Sequence, residues 1–433
     1  MLDECIVHGF GYLGSRITSL IEGTRKVQQD WKPVVGLPFR VSAIVERDSV
    51  RLAHARNAHP GIPCFSDLEE AIRTVGHSST FIKDFTSPLG RRRLLEIAGR
   101  SGIPVLLEKP LSSPGVKVSL AGREREASVS MSEAFNPVVN ALAAKLFADR
   151  LQVETLAFVR VNSLTLQRLQ DPGYRRDIIG GAFVDKLIHD LHLLTSGTII
   201  GPAKLEFGIP HVNEIVLDIL VSQCRRSLTF SSLGGDPLGA YEASLSSARP
   251  AEMLVDLSIP VCMDGRPVPT RWIASWGGVP KDLAQRLGIL DTDVAAAQLV
   301  SGGNANAALP GSLFHNLKLI VCGCRRPGGE EIQLICNLQA RGTVKAWLIE
   351  RSNSEERHLP VRFCVPIIES IIAFSQSFRG GGYLDIHDII HADRVALQLR
   401  SEFRAPSGAE LDPERSLAIL HHNHGLRHAV TLL

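Results

Sequence analysis

The sequence predicts an α/β protein: an N-terminal doubly wound parallel sheet of the Rossmann type, followed by an α/β domain with a large, mainly antiparallel open sheet. Three observations predict it. Strand-like and helix-like segments alternate over the first 150 residues. A glycine pattern, GFGYLGSR at 9–16, falls between the first strand and the first helix. Beyond about residue 151 the periodicity changes to two, with strand after strand and turn-rich connections.

Cys5–Gly9 reads as a strand and Ser15–Glu22 as a helix. A polar stretch over 23–39 interrupts the pattern as a loop insertion, and RVSAIVE (40–46) resumes it as a strand, followed by a helix over 49–59. Ser66-Asp67-Leu68-Glu69 reads as a capping-box start for a helix through Val75. Thr80–Phe85 is strand-like, Leu89–Gly99 helical, and Gly102 supplies a break. Ile103–Leu107 and Val129–Phe135 complete the set as strands. Strands alternating with helices imply a parallel sheet covered on both faces. Further on, 153–162, 214–222, 227–233, 270–276, 317–324, 332–340 and 343–351 read as strands, with a short helix over 280–289.

A chain of 433 residues is too long for one ordinary core. The expected division is a dinucleotide-binding domain over 1–136, a substrate and oligomerisation domain over 137–403 with an insertion at about 235–330, and a C-terminal extension over 404–433. Hydrophobic residues make up 44% and charged residues 21%, a globular composition. With a net charge of +2 no strong field recruits nucleic acid or an acidic membrane. No apolar run is long enough to cross a bilayer. The start, MLDECIVHGF, lacks the regions of a signal peptide, so a cytoplasmic enzyme is expected. The eight cysteines are scattered, with only Cys322 and Cys324 close and no second pair at zinc spacing, so they read as reduced, buried thiols.

In a dinucleotide fold, Gly9 permits the tight turn, Gly11 lets backbone approach a pyrophosphate, and Gly14 allows close helix packing. Phe10, Tyr12 and Leu13 complete that loop, whose unpaired N–H groups face the phosphates. Glu46 ends the second strand and is placed to bind ribose hydroxyls, which selects NAD. Arg47 follows it and leaves NADP open as the alternative.

LLEKPLS at 106–112, a strand ending in Glu-Lys-Pro, follows this nucleotide pattern. Downstream, GGAFVDKLIHDLHLL at 180–194 places a glycine pair before a helix with Asp185 and, four residues later, His189. Together with SEAFNP at 132–137, these motifs resemble the Gfo/Idh/MocA oxidoreductases, the family of glucose–fructose oxidoreductase and inositol dehydrogenase. The resemblance covers residues 4–200 with specific motifs and is architectural beyond. It implies a nicotinamide cofactor, a sugar-, aminosugar- or cyclitol-like substrate, and a homodimer or homotetramer formed through the open sheet. It also implies contact of Glu108 with the cofactor, near Thr86, Ser87 and Pro88.

Three features depart from the family pattern. His8 stands where a small apolar residue is usual, and His192 where an acidic one is common. KDFTSP at 83–88 is as similar to dihydrodipicolinate reductase as to the sugar enzymes. An imine or C=C reductase, and a nucleotide-binding regulatory protein without turnover, are therefore the competing readings.

Moving hydride to or from an alcohol carbon requires a proton donor or acceptor within hydrogen-bond reach of its oxygen. Lys109, at the carboxyl edge of the sheet, and His189 are the expected proton-transfer pair, with Asp185 one helical turn from His189 in electrostatic support. Tyr174, Arg175 and Arg176, just before the glycine pair, are candidate substrate contacts, as Asp185 and His189 also are. Asn136 is read equally as a ligand contact or a packing residue. Trp272 and Trp276 line a cleft, an interface or the core. The histidines of HHNHGLRH (421–428) lack a framed ligand set, and no metal site is assigned.

Overall fold

The fold was analysed in a computed structural model. It describes residues 2–23, 36–76, 79–112, 118–120, 126–162, 181–198, 254–258, 261–263, 266–275, 279–280, 313–314, 316–338, 347–352, 355–361, 365–377 and 383–403. Contacts divide the chain into two compact units. One is formed by Met1–Phe135 with Cys364–Ile390, the other by Asn136–Phe363 with the remainder of the chain.

In the first unit, strands β1 (Asp3–His8), β2 (Phe39–Val45), β3 (Cys64–Phe65), β4 (Thr80–Asp84), β5 (Val105–Glu108) and β6 (Ala127–Ser130) form one sheet in the order β3-β2-β1-β4-β5-β6. Every pairing in it is parallel. This is the strand order of a dinucleotide-binding sheet, and the sequence in which strands are added reverses between β1 and β4. Helices α1 (Tyr12–Ile21), α2 (Ser49–Ala58), α3 (Leu68–Val75) and α4 (Arg91–Ser101) are the crossovers. The starts of α3 and α4 differ from the sequence reading, as does that of α1. The cap of α3 is Asp67, whose carboxylate accepts from the Glu70 amide at 3.0 Å, rather than Ser66. The segment expected as one helix over 89–99 begins as a 3-10 turn at Pro88–Gly90 and becomes α-helical at Arg91, because the Ser87 hydroxyl caps the turn.

The core of this unit consists of apolar strand residues such as Cys5, Val7, Ile44, Phe81 and Leu106, none more than 0% exposed. A late segment completes it. In α7 (Pro366–Ser377) the residues Ile368, Ile371 and Phe374 recur at helical spacing and are 0–3% exposed. Phe374 meets Phe81 edge-on, and Phe81 meets Phe39 likewise. The first unit is therefore discontinuous in sequence, because the apolar stripe of α7 is buried in it.

In the second unit, the main sheet comprises β7 (Gln152–Asn162), β8 (Leu254–Ser258), β11 (Thr270–Ser275), β14 (Asn316–Arg325), β15 (Glu331–Asn337), β16 (Trp347–Ser352) and β17 (Glu356–Pro360). Their order is β17-β16-β15-β14-β7-β11-β8, antiparallel except for the parallel pair β7–β11. Short strands β9 (Val261–Met263) and β10 (Arg266–Val268) form a hairpin, and β12 (Val279–Pro280) pairs with β13 (Leu313–Phe314). Helices α5 (Pro137–Ala148) and α6 (Gly181–Thr195) pack on this sheet, and α8 (Ile386–Phe403) follows α7. On the other face, Ala157, Val159, Val321, Ile335 and Ile349 are 0–2% exposed. The strands expected at 214–222 and 227–233, most of the expected insertion, and the 404–433 extension lie outside the described residues.

Alternation along β7 puts Phe158 and Arg160 on the face that meets α6. Phe158 stacks on Trp272 of β11 at 5.9 Å, so Trp272 is a core residue. Trp276 lies outside the described residues. Arg160 is 1% exposed and pairs with Asp190 of α6 at 2.6 Å. Removing one partner of a buried pair strands the other charge, which costs about 3–5 kcal/mol. Arg160→Met is expected to lower unfolding stability by that amount in urea titration, and Arg160→Met with Asp190→Leu to recover most of it. Additive losses in the double variant would contradict the pairing.

Candidate functional site

The glycine loop begins where β1 ends. Gly9 has φ +94°, a conformation strained for any side chain, and its amide donates to the Val45 carbonyl at 2.8 Å. A Cβ on Gly14 would overlap the Gly9 carbonyl oxygen, so α1 sits directly on the loop. Gly11 is the N-cap of α1 and provides no side-chain cap, leaving the first amides of the helix to another acceptor. The helix starts at Tyr12, three residues earlier than the sequence reading, so Tyr12, Leu13 and Gly14 form its first turn.

Glu46 stands one residue past β2 and is 9% exposed. Its two carboxylate oxygens accept from the Phe10 amide at 2.8 Å and the Asp48 amide at 3.0 Å. The residue expected to meet a ribose thus also holds the glycine loop in place. Arg47 is exposed beside it. Arg51 of α2 brings a guanidinium nitrogen within 3.7 Å of where a Gly11 side chain would begin.

After β4 the chain turns through Thr86, Ser87 and Pro88. Asp84 is fully buried, and one of its oxygens binds the His8 ring at 2.9 Å, the Thr86 amide at 3.1 Å and the Thr86 hydroxyl at 2.7 Å. Burial pushes the Asp84 carboxyl up, but the His8 and Thr86 hydrogen bonds and the charges of His8 and Arg91 outweigh it and hold it below the usual range. Gly9, Glu46, Arg47, Thr86 and Ser87 line one cleft at the carboxyl ends of β1, β2 and β4, with His8 and Arg93. Pro88 is buried behind it. The cleft lies beside the β1/β4 reversal, where open α/β sheets bind ligands.

β5 delivers Glu108 and Lys109 to the same edge, and a cis peptide follows at Lys109–Pro110. The Glu108 carboxylate is paired with Lys83 of β4, whose ammonium is buried. Burial lowers the Lys83 pKa, opposed by Glu108. Arg91, also 0% exposed, donates to the carbonyls of Pro110 and Leu111 and lies 3.7 Å from Asp84. The sequence reading passed over Lys83, Asp84, Arg91 and Arg93 as site elements. The available signal was Lys-Asp inside an otherwise apolar strand, FIKDF, since buried charges need partners.

In the second unit, Asp185 and His189 lie one turn apart on α6, each 9% exposed, with Asp185 beside the Lys186 ammonium at 2.9 Å. Tyr174, Arg175 and Arg176 lie outside the described residues. Asn136 is a packing residue: it caps α5 through the Val138 amide and donates to the Leu338 carbonyl at 3.0 Å. The structure brings the glycine loop, Glu46 and Thr86 together in one unit, with Glu108 and Lys109 at the same sheet edge. Asp185 and His189 belong to the other unit.

No protein-family model matches the chain, and no curated protein matches it in sequence. Solved structures do match in fold. A 3-ketoreductase from Actinomadura kijaniata, in complex with NADP and TDP-benzene, aligns at TM-score 0.58 and 14% identity, covering 91% of this chain and 96% of its own. A UDP-N-acetylglucosamine 3-dehydrogenase from Acidithiobacillus ferrooxidans aligns at TM-score 0.55 and 12% identity, with 93% and 98% covered. Biliverdin reductase from Synechocystis, in complex with biliverdin and NADP+, aligns at TM-score 0.54 and 12% identity, with 92% and 98% covered. At these identities the likeness is one of fold: a Rossmann-type domain joined to a second, largely antiparallel α/β domain.

His192 differs from its neighbours on α6. It is 1% exposed, neither ring nitrogen has a hydrogen-bond partner, and burial pushes its pKa down to about 3. An unfolded imidazole titrates near 6.5, so on acidification below about 6.5 the unfolded chain takes up a proton that the fold refuses. Stability therefore falls with pH across that window, by about 2 kcal/mol from this residue between pH 6.5 and 5. His192→Leu is expected to flatten that acid slope in urea midpoints. An unchanged slope would place the ring in a protonated state.

Proposed function

We propose that the chain is an NAD(P)-dependent oxidoreductase moving hydride between nicotinamide and a secondary alcohol or ketone of a sugar-, aminosugar- or cyclitol-like molecule. The observation that carries it is the cleft at the β1/β4 reversal. There an uncapped helix N-terminus, a locked glycine loop and the Glu46 carboxylate converge at the sheet edge that also presents Glu108 and Lys109. A ketoreductase and a sugar-nucleotide dehydrogenase among the structures of like fold support the reaction class.

The residues fit a dinucleotide. Gly11 at the N-cap of α1 offers no side-chain acceptor of its own, which suits a pyrophosphate at the helix N-terminus. Glu46 keeps acceptor capacity for ribose hydroxyls after bonding two amides, since a carboxylate has about four lone-pair sites. NAD is the reading from Glu46, and Arg47 with Arg93 in the same cleft supports NADP. Bound there, the nicotinamide supplies the hydride acceptor or donor. Thr86, Ser87, Pro88 and Glu108 are the residues that would hold it.

This chain's own chemistry is then proton movement. Lys109 and His189 are assigned to proton transfer, and Asp185 to electrostatic support and a substrate hydroxyl. Tyr174 and Arg176 are assigned to substrate contact.

Titration with NADH and with NADPH, read by nicotinamide fluorescence, is expected to show saturable binding to the wild-type protein. A panel of polyols, aminosugars, cyclitols and their nucleotide-linked forms is then expected to change the absorbance of the reduced cofactor. Lys109→Met should keep nucleotide affinity and lose about a hundredfold or more in turnover, the share of a positioned acid or base. Failure to bind either nucleotide, or undiminished turnover in Lys109→Met, would overturn the proposal.

A further inference from the structure

Glu108 and Lys109 are adjacent and oppositely charged, and the strand that carries them ends in a turn. Two buried cations hold that turn from opposite ends. On the near side, Lys83 reaches from β4 to the Glu108 carboxylate, and its ammonium also lies 3.4 Å from the Asp84 carbonyl and 3.5 Å from that of Leu107. The same ammonium stands 4.6 Å from the centroid of the Phe85 ring. On the far side, the Arg91 guanidinium takes the carbonyls of Pro110 and Leu111, and its Nε faces Asp84. Lys109 is the residue between the two anchors.

A buried ammonium is expensive and persists only with a partner. Here Lys83 is 0% exposed, whereas the Glu108 side chain is 12% exposed. The pair therefore ties a carboxylate at the edge of the site to a cation beneath it. The Glu108 charge is thus met by Lys83 from the interior side.

We propose that Lys83 is a positioning residue for Lys109: it draws the Glu108 carboxylate inward, while Arg91 fixes the chain beyond Pro110, so that the Lys109 amine is presented with its own sequence neighbour's charge already neutralised. The inference rests on the reading of Lys109 as a proton-transfer group. It adds that the amine's reactivity is set from β4, by a residue that touches neither cofactor nor substrate.

The test reads the Lys109 amine directly and needs no substrate. Full-length protein is acetylated with trace acetic anhydride at about pH 8, and the rate at each lysine is followed by mass spectrometry, with the melting curve recorded beside it. In Lys83→Met the released Glu108 carboxylate stabilises the protonated Lys109, and its acetylation should slow about three- to tenfold, the effect of an uncompensated neighbouring carboxylate. Adding Glu108→Gln to Lys83→Met should restore the wild-type rate to within about twofold, because the disturbing charge is gone. If Lys83→Met does not fold, Lys83→Gln removes the charge while keeping a donor, and the same outcomes decide. A folded single variant with an unchanged Lys109 rate overturns the proposal. So does a double variant as slow as the single, which would mean general loosening of the turn. A Lys109→Met protein that keeps turnover would end the catalytic reading alone, while unchanged acetylation ends the Lys83 inference alone.

Discussion

The first unit depends on charges placed where a parallel sheet ordinarily has none. Lys83, Asp84 and Arg91 are each 0% exposed, at the carboxyl ends of β4 and the start of α4. Isolated, each would cost several kcal/mol in lost hydration. Together they are matched: Lys83 to Glu108, Asp84 to His8, Thr86 and Arg91, and Arg91 to the carbonyls of Pro110 and Leu111. The network ties the ends of β1, β4 and β5 to one another. Those three ends carry the glycine loop, the Thr86–Pro88 turn and Glu108–Lys109. Burial makes each tie directional, because in a low-dielectric interior a misplaced charge has no water to fall back on.

The glycine loop is secured in a different way. Steric fit sets the seat of α1, since any side chain at Gly14 would strike the Gly9 carbonyl. Glu46 then ties the Phe10 amide to the end of β2. A nucleotide arriving at this loop would find backbone already ordered, which reduces the entropy lost on binding. The same carboxylate serves the loop and remains on the cleft wall.

The second unit follows a complementary logic on α6. Asp190 is neutralised by Arg160 and His192 by burial, which keeps its ring uncharged. Asp185 and His189 stand on the same helix at the margin of burial. The helix thus buries one charged pair and one neutral imidazole against the sheet, while a second Asp and His, one turn apart, stay at its partly accessible edge. The departure at His192 from an acidic residue fits this environment: a carboxylate there would require a partner, and none is bonded to the ring nitrogens.

The strand–helix alternation, the glycine loop and the second sheet's strands were legible because they are local: buried strands require short apolar runs bounded by turns. Glu46, Thr86, Glu108 and Lys109 could be placed at the sheet edge for the same reason, as residues that end strands. The pairings Lys83–Glu108 and His8–Asp84 were not legible, because they span 25 and 76 residues. They depend on which strands become neighbours, and no residue near Lys83 announces β5. The Asp67 cap was missed by one position, since Ser66 is as good a capping residue and only the chain's path decides between them. The return of α7 to the first unit was hidden likewise, its apolar stripe matching any core of suitable shape. Sequence by itself determined the kinds of element and the residues at their ends, through side-chain size, polarity and backbone freedom. Tertiary structure alone decided which buried charges meet, because electrostatic partnership depends on distance in space and not along the chain.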